Sequence, residues 1–337
     1  MPRDRDRRLQ PKSGKAWPSI GTFCQSESST EHPSFPAMAH RIEILRMFKR
    51  VLISTDLSDG LPRLGNFLPS LAAGGMEQIV FLHSTPLWTK GQIPREDTEG
   101  MQKARDRLNP ILNEVPEGLE VAVEVVSGSV TDNILKVAQT YNSEVIIQGA
   151  SNRNLLSERL FGSTTLELSG RTPIPLMTLP NSLLSALTAE ELNLRCRHLL
   201  RYVLIPYDDS EASKTLLEQF KHYAQNRPSG SLERCMLAWV IDAGVLRKVP
   251  KDYKLEEAHE KLAPIEAELK QLGIEVDIEV RLGEPVVDIL DLAQKSDICA
   301  IALASHSLGK LWDWFPSFTA EVLRRSCEPV IFFPYRH

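Results

Sequence analysis

The sequence predicts two doubly wound α/β domains in tandem, each built on five parallel strands. Three observations carry this. A length of 337 residues suffices for two domains that each bury a core of their own. The chain also repeats itself: RVLISTDLSD at 50–59 returns as YVLIPYDDSE at 202–211, and EVVSGSVTDNILKVAQTYNSEVIIQGAS at 124–151 returns as EVRLGEPVVDILDLAQKSDICAIALAS at 279–305. Within each copy, short strand-like apolar runs alternate with helix-like ones, the pattern of a parallel sheet covered on both faces.

Taken in order, RVLIST is the first strand, and a helical run is expected from about Asp59 to Leu71. QIVFLHS follows as the second strand. REDTEGMQKARDRLNPILNEV reads as a long amphipathic helix whose charged residues form its wet face; it breaks at Pro110, which has no N–H to donate and crowds the preceding turn. LEVAVEVV, a helix through ILKVAQTY, EVIIQG, a helix after Gly162 and IPLMTL complete the first copy. YVLIPY, CMLAWV, IEVDIEV, ICAIALA and VIFF are the strands of the second. Asp56 aligns with Asp208, Gly128 with Gly283, Gly149 with Ala304 and Pro175 with Pro329, the last pair showing that the second copy is one residue shorter beyond Ala304. The domain plan is therefore a disordered tail at 1–45, a first domain at 46–181, a connector at 182–199 and a second domain at 200–337. TAEE within the connector is a capping-box pattern that predicts a short helix.

Composition excludes several classes of function. With 42% apolar and 25% charged residues the chain sits in the globular range, and no apolar window approaches a membrane span. A formal net charge of -5 offers no general attraction for nucleic acid or anionic lipid. The five cysteines show no CxxC spacing, and two lie in apolar runs, which fits a reducing, cytoplasmic setting. The tail is rich in Arg, Ser and Pro without an apolar segment, so it does not read as a signal peptide. SGKA within it lacks the upstream glycine and following hydroxyl of a phosphate loop. Walker-type, GxGxxG and HExxH motifs are missing, and no metal set is expected.

The stretch GASNRNLLSERLFGST, 149–164, is framed by a glycine at a strand exit and Gly-Ser-Thr at a helix start. In a doubly wound sheet such an exit lies beside the crevice at the carboxyl edge, and unpaired amides at the start of a helix attract anions. Gly149 would let a phosphate chain approach the backbone, Asn152 tolerates positive φ, and Ser163 and Thr165 bring hydroxyl donors. Asp56, at the end of the first strand, can accept from an adenine amino group or a ribose hydroxyl. The bland readings are a tight strand exit for the two glycines and a turn or helix-cap acceptor for Asp56. His306 reads as a solvated loop histidine and His83 as a packing residue; LWDWFPSF at 311–318 reads as core packing or as a plug over the second crevice.

RVLISTDLSD, the VxxGxxxxxI run from Val125 to Ile134, and the spacing Gly149-x2-Asn152-x9-Gly162-Ser163 resemble the universal stress protein family in a tandem form. The resemblance implies two flavodoxin-like domains and ATP, with or without Mg2+, bound in the first. By position, Asp56 and the Ser84 backbone would hold adenosine, and Gly149, Asn152, Gly162 and Ser163 the phosphates. Asn152 stands where that family has its middle glycine. The second copy departs further, with Ala304, Ser307 and Pro316 at the three glycine positions beside Ser317 and Thr319, so its site is expected to be vestigial and Asp208 structural. The family's habit of pairing through the last strand implies an intramolecular pseudo-dimer through IPLMTL and VIFF, with a homodimer as a further option. The expected function is adenine-nucleotide binding in stress adaptation with, at most, slow hydrolysis. Its rivals are an interaction scaffold without nucleotide and an ATP-consuming enzyme, for which no base is evident.

Overall fold

In the first half the strands are β1 (Arg50–Ser54), β2 (Gln78–Thr85), β3 (Glu120–Ser127), β4 (Val145–Gly149) and β5 (Leu176–Leu179). In the second they are β6 (Tyr202–Pro206), β7 (Arg234–Asp242), β8 (Glu275–Gly283), β9 (Ala300–Ala304) and β10 (Val330–Phe333). The computed structural model describes residues 48–87, 95–150, 163–185, 188–227, 231–242, 251–304 and 318–334. The expected tail, the segment 151–162 and most of LWDWFPSF lie outside them.

The ten strands form one sheet of order β3-β2-β1-β4-β5-β10-β9-β6-β7-β8. Within each half all pairings are parallel, as the continuous apolar character of β4 and β9 predicts for strands covered on both faces. The halves meet through β5 and β10, which run antiparallel with Ile331 opposite Met177. That pairing covers two apolar edges that would otherwise be open to other chains, and leaves β3 and β8 as the outer strands.

Helices lie on both faces. One core packs Val51, Ile53, Phe81 and Ile147 against Leu61, Leu64 and Leu68, and continues through Leu183 and Leu192 of the connector to Phe220 and Phe333 of the second half. The opposite face packs Leu52, Val80 and Ile146 against α3 (Val130–Thr140) and α4 (Ser163–Ser169), and continues to Leu303, Phe332 and α9 (Pro285–Lys295). Each core is thus shared by the halves. On the second half α7 (Glu211–Ala224), α8 (Lys251–Gln271) and α10 (Phe318–Arg325) complete the cover.

Two stretches differ from the sequence expectation. The helical run from Asp59 to Leu71 is a 3-10 segment, Leu61–Phe67, followed by α1 (Leu68–Ala73). Pro62 and Pro69 each stand in the first turn of their segment, so two starts are built into one run. The connector holds two helices, α5 (Asn181–Ser185) and α6 (Ala189–Arg197). Thr188 caps α6 by accepting from the Glu191 amide, as TAEE predicts. The break at Pro110 is observed: α2 (Thr98–Leu108) ends two residues before it and a 3-10 turn takes over.

Candidate functional site

β1 and β4 are neighbours in the sheet, yet the chain leaves β1 towards β2 and enters β4 from the far side, so the strand order reverses between them. A crevice beyond the carboxyl ends is the consequence. Thr55 and Asp56 follow β1, Gly149 closes β4, and Ser84 stands one residue before the end of β2. Topology therefore brings Asp56, Ser84 and Gly149 to one edge of three adjacent strands.

The β1 exit is tied by its own polar groups. Asp56 is exposed, and its Oδ1 accepts from the Ser58 amide at 2.8 Å and the Ser58 hydroxyl at 2.7 Å. Leu57 takes a left-handed conformation, φ 66, which an apolar L-residue adopts only when its surroundings compel it. Here the compulsion is visible: its amide donates to Thr55 Oγ1 at 2.9 Å, and its side chain packs beside Met101, Ala104 and Leu108. The second copy repeats the turn, with Asp209 at φ 62 and Asp208 Oδ1 accepting from the Ser210 amide at 3.1 Å.

A residue that motif reading passed over, Asp59, gathers the hydrogen bonds of this loop. Its Oδ1 accepts from Thr55 Oγ1 at 2.7 Å and from the Leu61 amide at 3.0 Å, while Oδ2 takes the Asp56 amide at 3.3 Å. Burial raises its carboxyl above the ordinary aspartate range, with the neighbouring Asp56 charge adding to the shift, against these hydrogen bonds. The side chain lies directly on Gly149. A Cβ there would stand 2.7 Å from Asp59 Cβ and 3.2 Å from its Oδ2. The glycine at the strand exit is therefore required by the Asp59 side chain, its Cβ first, whatever ligand the crevice takes. A helix-start aspartate opposite a strand-exit glycine was the sequence signal available for this contact.

The other expected positions divide. Ser84 Oγ accepts from Asn133 Nδ2 at 3.4 Å, which ties the β2 exit to α3. Thr165 is buried, and its hydroxyl donates to Gln148 Oε1 at 3.1 Å, so the donor expected for a phosphate has a partner inside the fold. Thr319, its counterpart in the second half, is buried as well. Ser163 opens α4; Asn152 and Gly162 lie outside the described residues. Gly128, in the VxxGxxxxxI run, has φ 117 and its amide donates to the Thr85 carbonyl, so the β3–α3 turn needs glycine for its own geometry. His83 Nδ1 lies 2.9 Å from the Thr55 carbonyl, a satisfied packing position.

At the matching edge of the second half, Asp209 is held by Lys214 at 3.1 Å and Lys261 at 2.8 Å, and both lysines hold its carboxyl below the usual range. Lys261 also lies 5.9 Å above the Trp239 ring, which meets Tyr207 edge-on at 5.6 Å. Asp208, the counterpart of Asp56, is exposed as well, but beside it the second half has a cross-linked ion cluster where the first has the apolar Leu57. Among the described residues no His, Cys, Asp or Glu grouping could hold a metal ion, and no helix is long and apolar enough to cross a membrane.

Comparison with known proteins agrees with this architecture. A universal stress protein from Archaeoglobus fulgidus DSM 4304 superposes with a TM-score of 0.56 at 19% identity, over 84% of this chain and 98% of that one. A Pseudomonas aeruginosa UCBPP-PA14 protein named for the same family gives 0.51 at 16% identity, over 86% and 95%. These likenesses show the fold. No curated protein is significantly similar to the chain. The universal stress protein family model matches residues 47–180 and again 200–334. With both halves matched in order, the chain belongs to the universal stress protein family, in a two-domain form.

Proposed function

We propose that the first half binds an adenine nucleotide, ATP in the first instance, as a sensing or regulatory event in stress adaptation, and that the second half pairs with it through β5 and β10 without binding nucleotide. One observation carries this reading: Asp56 and Gly149, each from a stretch that resembles the family, lie at the carboxyl ends of the two strands that flank the point of strand-order reversal. Asp56 is exposed and can accept from a base or ribose, and Ser84 lies on the adjoining strand exit. Asn152, Gly162 and Ser163 are expected to hold the phosphates through backbone amides. Thr165 is left out of the contact set because its hydroxyl is engaged by Gln148. The ion cluster around Asp209 supports a second half without ligand.

A second reading, an interaction scaffold with no nucleotide, is favoured by the Asp59 side chain that covers Gly149. Equilibrium dialysis with labelled ATP separates the two. Saturable binding that Asp56→Ala and Gly162→Pro weaken about tenfold or more, and that Asp208→Ala leaves unchanged, supports the nucleotide reading; a backbone donor to a charged oxygen is worth roughly that much. Absence of saturable binding in the wild-type chain favours the scaffold.

A further inference from the structure

We infer that Asp59 limits the negative charge that the first crevice accepts: it is a specificity-determining carboxylate set against the glycine where a phosphate chain would approach. The inference rests on the nucleotide reading above and goes beyond it by assigning a residue that opposes the ligand.

The geometry is fixed on every side. Thr55 Oγ1 and the amides of Leu61 and Asp56 hold the carboxylate in place, and Gly149 offers no side chain to push it away. Among the described residues, the contacts of the packed elements bring no cation onto this carboxylate. Asp56, in the same loop, is a second negative group. Arg63, on the 3-10 segment, donates to the Leu184 carbonyl at 2.8 Å. On β2, His83 faces the Thr55 carbonyl, and β4 and α5 bring only the uncharged Gln148 and Asn181. Burial raises the Asp59 carboxyl, which agrees with a site where this charge is poorly compensated. The second half lacks the arrangement: Glu211, aligned with Asp59, is an exposed first-turn helix residue near Lys214, and Ala304 replaces Gly149.

A phosphate within several ångströms of such a carboxylate loses affinity in proportion to its charge, whereas a neutral nucleoside does not. Titration calorimetry of the full chain with ATP, AMP and adenosine, without divalent cations at pH 8, tests this on wild type, Asp59→Asn and Asp59→Ser, with thermal unfolding as the check on folding. The expected result is ATP affinity about tenfold higher in both variants, a smaller gain for AMP and none for adenosine. The wild-type to Asp59→Asn ratio should narrow as the pH is lowered and Asp59 takes up a proton, since burial raises this carboxyl.

Saturable ATP binding that is equal in all three proteins overturns the inference and leaves the nucleotide reading standing. Weaker ATP binding by both variants when Mg2+ is added also overturns it, because the carboxylate then acts as a cation ligand. Failure of all three proteins to bind ATP, AMP and adenosine removes the reading and the inference together.

Discussion

The ring of Phe48, two residues before β1 of the first half, packs 5.6 Å from that of Tyr223 on α7 of the second, and Tyr223 in turn meets Phe333 of β10 at 5.8 Å. Phe48 is 2% exposed, so the entry to the first half is buried against the second. Together with the shared cores, this predicts that the halves unfold as one body. Phe48→Ala should lower stability by about 3–5 kcal/mol, the cost of truncating a buried phenylalanine. Guanidinium unfolding, followed by far-ultraviolet circular dichroism and by tryptophan fluorescence, should show one coincident transition in both proteins. Two separated transitions in the wild type would contradict the shared core.

Gly149→Ala places a methyl against Asp59, and the strand and the tied loop leave little room to yield. The expected loss is about 1–3 kcal/mol. Removing the opposing side chain with Asp59→Gly should return part of it, so a double-mutant cycle measured by urea unfolding should show favourable coupling of about 0.5–3 kcal/mol. Additive effects would mean that the two residues do not share the space.

Thr165→Val keeps the side-chain shape but leaves the buried Gln148 carbonyl without its donor. A stability loss of about 1–3 kcal/mol is expected, read from thermal unfolding, with ATP affinity unchanged in dialysis. A fall in affinity with intact stability would return Thr165 to the ligand.

Asp59 also sets a pH dependence of stability. Its folded-state pKa lies above the unfolded value near 3.8, because burial disfavours the charge. The folded state therefore keeps the proton longer than the unfolded chain, and stability falls as pH rises from the unfolded pKa through the folded one. Asp59→Asn removes that loss. The variant should gain on the wild type across this window and hold the gain at neutral pH, with no gain below the unfolded pKa. Melting temperatures between pH 3 and 8 test the sign.

Among the cysteines of the described residues, Cys196 and Cys235 are buried, and burial pushes both thiols up to about 12. Cys327 is exposed. Since the thiolate is the reactive form, iodoacetamide at pH 8 should label Cys327 in the native protein and reach Cys196 and Cys235 only in denaturant, as peptide mass mapping would show.

How much of this was legible beforehand follows from what each feature depends on. The strands, the duplication and the break at Pro110 could be read because apolar period and proline geometry act over a few residues. The meeting of Asp56 and Gly149 at one edge followed from strand order, which the alternating pattern implies. Asp59 reads as a helix start in the sequence because its partner, Gly149, lies ninety residues further along the chain. Thr165 reads as a donor to the crevice because nothing local tells which way its hydroxyl turns; its proximity to Gln148 does.

The sequence by itself determined the family, the two-domain plan and the strands that form the crevice, since these rest on local patterns repeated in order. Tertiary structure alone decided that Phe48 enters the second half's core, that Asp59 occupies the space over Gly149, and that Thr165 faces inward. Those outcomes depend on close packing and on which donor reaches which acceptor, and both are properties of segments far apart in the chain that the fold brings within a few ångströms.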